Sequence, residues 1–442
     1  MDWTSDQILK LSPDAASAKA AQGLLHLKNW SGLGTDERAA WGLCQGSGSK
    51  PYQAQIDLAE PAFKCSCPSR KFPCKHGLAL FLLLVQERSA FKAGDRPDWV
   101  AKWMTGRSER AEKKQEKQIA AKAPQTPEAQ AKVEKTAARR LERVKSGAED
   151  LQRWLEDLVR TGIGSAATKD SSFWEGQAAR LVDAQAPGLA RLVRELASLP
   201  ASGGAWQDRL LQRLGQLHLL LAGFSRIESL PNAVQDDIRA LVGWTEDQDV
   251  IKDQAGVDDE WLVLGQRTVM EDRLQVQRSW LQGAASQRNA LVLTFAYGKQ
   301  APYSGLMPGT RFRGELVFYP GALGLRALVK TRAEKTESCN RLPGCNLAAA
   351  VDAWSSTLSR HPWLERFPFA LAQVTPRHRG GRWLLADEDS RAIPVDPSFR
   401  RLWSMIALSG GRPLEIFGEW DGDSLLPLSG VADGRFVELA SW

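Results

Sequence analysis

Three cysteines and one histidine fall inside twelve residues of this chain, in the stretch "CSCPSRKFPCKH". Cys65, Cys67, Cys74 and His76 stand as C-x-C, six residues, then C-x-H. The other 430 residues hold only three further cysteines and four histidines, so the grouping reflects chemistry rather than composition. Zn²⁺ takes four sulfur or nitrogen ligands at tetrahedral corners, with Zn–S near ~2.3 Å and Zn–N near ~2.0 Å. Two short chelating pairs joined by a loop meet that demand, and Pro68 ends the extended chain directly after the first pair. Free thiols packed in a turn are one alternative, but they have no reason to sit at chelating spacing. An iron–sulfur cluster is another, although it wants four thiolates. Three thiolates and a neutral imidazole fill every position. Such a closed site is structural, whereas zinc catalysis keeps a place open for water or substrate. Lys64, Arg70, Lys71 and Lys75 surround the site and could offset its negative charge or contact a partner or a phosphate backbone.

The surrounding sequence predicts the elements that hold these ligands. Residues 41–44 and 52–58 read as short strands around "GSGSK", with Tyr52, Ala54, Ile56 and Leu58 on one face. "HGLALFLLLVQER" then reads as a helix that places Cys74 and His76 at its entry, where free N–H groups and the helix dipole favour a thiolate. Residues 1 to about 36 read as a short helical lead-in, with Ser12 as N-cap and Pro13 at the first helical position. The predicted finger helix is apolar nearly all round. One hairpin cannot cover it, so it should dock against another part of the chain or a partner.

The order strand, strand, C-x-C, C-x-H, helix resembles the SWIM zinc finger, and "CSCPSRKFPCKHGLAL" fits that motif at the short end of its spacer range. The resemblance implies Cys65, Cys67, Cys74 and His76 as zinc ligands and a ββα module that binds DNA or protein. Family members occur in SWI2/SNF2-type ATPases, transposases and ubiquitin-pathway proteins. The chain is similar to stand-alone bacterial SWIM proteins, which implies a MoxR-type AAA+ ATPase or a von Willebrand factor A protein as partner.

The chain of 442 residues is long enough for several domains. The expected fold class is α+β: a small ββα zinc-binding module (1–104), a basic linker (105–145), a helical middle domain (146–245) and a β-rich C-terminal domain (246–442), barrel or sandwich-like, with some helix near 346–360. The net charge of +6 is uneven: residues 107–145 carry twelve Lys or Arg against six Glu, and residues 146–442 are net acidic. The first residues lack the basic and apolar regions of a signal peptide, and the longest apolar run, Gly77 to Val85, is far below the roughly 20 residues of a membrane span. A cytoplasmic protein is therefore expected, where clustered thiols indicate metal rather than disulfide. A G-x-G-x-x-A match at Gly162 and Gly164 follows a helix rather than a strand and reads as a helix C-cap, while G-x-x-x-x-G-K-[ST], H-E-x-x-H and G-x-S-x-G are absent. The expectation is thus a non-enzymatic adaptor with structural Zn²⁺, a protein partner being favoured over DNA or RNA because the finger helix exposes apolar surface. The alternative is an enzyme whose active site lies in the C-terminal half, with the finger as accessory.

Overall fold

The computed structural model describes residues 3 to 440 except 4, 13–14, 47–49, 60, 70, 110–126, 204, 245, 272–273, 298–301, 303 and 334. It divides into two compact units: residues 1–124 with 268–277 and 294–305, and residues 125–267 with 278–293 and 306–442. Among the described residues no helix is long and apolar enough to cross a membrane.

The N-terminal unit is larger than ββα. Its sheet has the order β4-β3-β2-β1-β5, formed by β1 (Trp30–Thr35), β2 (Ala39–Cys44), β3 (Tyr52–Asp57), β4 (Ala62–Cys65) and the two-residue β5 (Lys92–Ala93). The helical lead-in is confined to Ser5–Lys10 and Ala15–Gln22, and β1 occupies what the sequence suggested was its end. Gly32, at φ +58°, interrupts that strand and hides its alternation. Alternation is clear in β2 and β3. Ala40, Cys44, Ala54 and Ile56 turn to one face and pack on the finger helix Lys75–Gln86, while Ala39 and Trp41 turn to the other and pack on Val100 and Met104 of a helical stretch over 98–109.

The finger helix is buried from His76 to Leu83, and the sheet does not cover it alone. Ile8, Leu11 and Ala21, from the two N-terminal helices and the turn after the first, belong to the same core. Each fully buried Leu or Phe there contributes about 1.5–3 kcal/mol. The apolar surface that argued for an external protein partner is therefore closed by the chain itself. Arg107, the first cation of the basic segment, pairs at 3.0 Å with the buried Asp57 of β3.

In the second unit, residues 127–145 of the expected linker are helical, the first half of a 35-residue helix, Pro127–Thr161. It ends at Gly162, which adopts the φ of +97° that favours glycine. Helices Ser171–Asp183, Pro187–Leu196, Trp206–Ser225 and Asn232–Val242 pack with it around Leu151, Leu155, Trp174, Leu214 and Phe224. The acid-rich stretch that follows holds a short helix, Gln248–Lys252, and leads into a strand that begins at Val257.

The β-rich part resolves into two barrels. In the first, β6 (Val257–Glu271), β7 (Leu274–Gly283), β8 (Asn289–Tyr297), β9 (Thr310–Phe318) and β10 (Arg326–Val329) run in the order β10-β8-β7-β6-β9. The ring closes because β10 pairs parallel to β8 and antiparallel to β9. In the second, β12 (Phe367–Arg379), β13 (Arg382–Ala386), β14 (Ala392–Pro394), β15 (Leu414–Trp420) and β16 (Leu425–Ala432) repeat that order, and a parallel bridge between Val395 and Leu425 links its ends. Strands β11 (Thr336–Ser338) and β17 (Arg435–Glu438) extend the two sheets. Taken in chain order, each set runs 3-2-1-4-5 with strands 3 and 5 parallel. This is the connectivity of the five-stranded Greek-key barrel known as the OB fold. In the second barrel a helix, Leu402–Ser409, occupies the position between strands 3 and 4. Trp261, Phe312 and Leu316 fill the first barrel, and Phe369, Leu385 and Ile416 fill the second.

Between the barrels lies the buried carboxylate of Glu419. It accepts hydrogen bonds from Arg278 Nε at 2.9 Å and Trp280 Nε1 at 2.8 Å, and Arg267 Nε lies 3.0 Å from its other oxygen. Burial alone would raise its pKa. The two guanidinium charges and the hydrogen bonds outweigh that and hold the carboxyl below its ordinary range.

Candidate metal centre

The C-x-C pair sits where β4 ends. Cys65 is its last residue and pairs with Ala54 of β3. Ser66 then clamps the turn, its N–H donating to Gln53 O at 3.0 Å while its Oγ accepts from Gln53 N–H at 2.9 Å. This double bond to one backbone unit fixes the stretch that carries Cys65 and Cys67. Ser69 Oγ accepts from Lys71 N–H at 3.2 Å and shapes the loop that follows.

The second pair is set by a helix start. Cys74 is the N-cap residue, its carbonyl accepting the first helical hydrogen bond from Leu78 N–H at 3.1 Å, and His76 lies in the first turn. Gly77 allows the close approach: a Cβ there would lie 3.0 Å from the Phe63 ring of β4. Tyr52 of β3 rests against the imidazole with ring centroids 4.9 Å apart.

The four side chains converge. One ligand atom from each of Cys65, Cys67, Cys74 and His76 lies within 4.8 Å of the others, and Cys65 Sγ is 3.8 Å from His76 Nδ1. A tetrahedral site with Zn–S of ~2.3 Å has ligand–ligand edges of roughly 3.8 Å, so the donor set and its spacing fit zinc. Cys74 and His76 are buried and Cys65 and Cys67 half-buried. Electrostatics already favour an anion here. A hydrogen bond from Cys65 is the main reason the Cys74 thiol is pulled down to about 4; burial opposes it, and His76 and the Gly77 N–H assist. Cys65 is pushed up, first by that same hydrogen bond and then by burial. Cys67 is pushed up by burial and by the Cys74 charge. A divalent cation would draw all three to thiolate.

Lys64, Lys71 and Lys75 are exposed around the cluster, while Arg70 lies outside the described residues. Beside the site opens a cleft of about 610 Å³ with Ala16, Ala20, Leu24 and Tyr52 in its wall and Lys71 and Lys75 at the metal end. Residue spacing alone does not reveal this cleft, because the helix Ala15–Gln22 forms one side of it.

The remaining cysteines stay apart from this cluster. Cys339 and Cys345 lie in loops and donate to the carbonyls of Arg341 and Ala370. Cys44 is a core residue of β2. His218, although flanked by apolar residues in the sequence, is exposed and sits 3.0 Å from Gln152 Nε2. The helical period turns Leu214, Leu217 and Leu221 inward and leaves His218 outside.

Four ligands on a strand end and a helix start, around one closed position, define a Cys₃His zinc-finger domain. Comparison with family models agrees: residues 62–84 match the SWIM zinc finger and residues 139–242 the SWIM-associated four-helix bundle domain. The chain thus carries a SWIM zinc finger and a SWIM-associated four-helix bundle domain. No curated protein and no solved structure matches it.

Proposed function

We propose that this protein is a non-enzymatic adaptor, that its zinc is structural, and that the finger docks an acidic segment of a partner protein. The carrying observation is the complete ligand set: three sulfurs and one imidazole nitrogen within 4.8 Å leave no coordination position for substrate. What remains for the module is binding. The cleft next to the site offers apolar wall residues for an anchoring side chain and Lys71 and Lys75 for carboxylates. Among the described residues of the cluster three exposed lysines, Lys64 among them, are few for a nucleic-acid groove, which favours a protein over DNA or RNA at this end. A MoxR-type AAA+ ATPase or a von Willebrand factor A protein is the partner the family resemblance offers.

The test is capture from native extract with the full chain and with Lys71→Glu/Lys75→Glu. Loss of an ATPase or von Willebrand factor A partner with unchanged zinc content supports the proposal. Identical partners for both proteins contradict it.

A further inference from the structure

The β12–β13 hairpin of the second barrel combines two features that a protein surface ordinarily avoids. The first is uncompensated charge. Gly380 and Gly381, at φ +58° and +75°, form a tight two-residue turn of the primed type, and Arg379 and Arg382 close it as direct cross-strand partners. Like charges placed opposite one another are destabilising. Arg377 follows on the same face, opposite Leu384. All three are exposed, and among the described residues none makes an ion pair, unlike Arg391 nearby, which is neutralised by Asp389 at 2.8 Å.

The second feature is exposed aromatic surface. On the alternate face His378 and Trp383 are cross-strand partners with ring centroids 4.9 Å apart. Trp403, from the helix between strands 3 and 4, stands edge-on to Trp383 at 6.1 Å and is 76% exposed. Three rings thus run from the hairpin onto the helix, ending in a tryptophan that buries little of itself.

One ligand class relieves both costs. Phosphates pair with the arginines, and unpaired bases stack on the rings; a duplex offers the phosphates but keeps its base faces inside the stack. The location agrees, because in OB-type barrels the loop joining strands 1 and 2 is one of the two loops that grip oligonucleotides, and here that loop is the β12–β13 turn. The other such loop, between β15 and β16, carries Asp421 and Asp423. The contact is therefore confined to the hairpin and the helix. We infer that the hairpin Arg377–Trp383, with Trp403, binds single-stranded nucleic acid. This inference does not depend on the partner proposed for the finger.

The test is fluorescence anisotropy of the full chain with a labelled oligothymidylate of about 20 nucleotides. Three phosphate contacts give a slope of about −2 in log K against log salt, so affinity drops roughly 20-fold between 50 and 200 mM. Arg379→Glu/Arg382→Glu should abolish binding. Trp403→Ala, at a position too exposed to support the fold, should weaken it by about tenfold while leaving the salt slope unchanged. Lys71→Glu/Lys75→Glu should bind the oligonucleotide as wild type does, so that either proposal can fail alone. Absence of binding by the wild-type chain, wild-type affinity in both the arginine and the Trp403 variants, equal affinity for a duplex of the same length, or displacement by polyglutamate at matched ionic strength would each overturn the inference.

Discussion

Cys65 Sγ and His76 Nδ1 lie 3.8 Å apart although eleven positions separate them and one ends a strand while the other opens a helix. That distance links the sheet to the helix through the metal site. Removing one ligand should loosen the join between two elements rather than a surface loop.

Cys74→Ser is expected to lose zinc and to unfold the finger. Apparent zinc binding energies for such units are about 10–16 kcal/mol, more than a small module's own stability. Limited proteolysis should then cut within residues 1–104 while the helical and barrel regions stay intact. A variant that retained wild-type protease resistance throughout would show that the core of Ile8, Leu11 and the finger helix stands without the metal.

Ser66→Ala removes the hydroxyl that accepts from Gln53 N–H and leaves the ligands themselves untouched. Outer-shell changes of this kind typically lower metal affinity 10- to 100-fold, and the lower end is expected because the backbone bond from Ser66 to Gln53 remains. Competition with a chromophoric chelator reads the change directly.

Gly77→Val places carbon atoms where the Phe63 ring already lies 3.0 Å from an added Cβ. Overpacking of this kind costs about 1–3 kcal/mol. The helix start should move away from β4, with a lower melting temperature and weaker zinc retention together. Val at the open Gly176 should affect neither beyond the small change in helix propensity.

Glu419 predicts an acid-sensitive join between the barrels. Its folded pKa is depressed, so its stabilisation is fully present above the ordinary Glu value of about 4.3 and is lost as pH falls through the lower, folded value. Glu419→Gln strands Arg278 and Arg267 without a counter-charge, at an expected cost of about 3–5 kcal/mol near neutral pH. Chemical denaturation at pH 7 and at pH values stepped down below about 4 should show wild type and variant converging as the carboxyl protonates.

The metal site was the most legible part of the sequence. Chelating spacing is local, and so is the alternation of Tyr52, Ala54 and Ile56 that sets the sheet face beneath the helix. Strand β1 was hidden by Gly32, and β5 is a two-residue parallel pairing that no local pattern announces. The apolar finger helix showed that a cover was needed but not which one; Ile8 and Leu11 supply it from the start of the chain. In the C-terminal half the short strands were readable, but barrel closure rests on β8 with β10 and on Val395 with Leu425, contacts between distant segments. Trp403 was one of seventeen tryptophans, and only the fold separates it from buried ones such as Trp261 and Trp280.

Zinc stoichiometry combined with X-ray absorption on the purified full chain tests the central claim most directly. One zinc per chain, with three sulfurs at ~2.3 Å and one nitrogen at ~2.0 Å, is the expected result. A chain free of stoichiometric metal, or a first shell containing bound water in place of one of the four side chains, would contradict it.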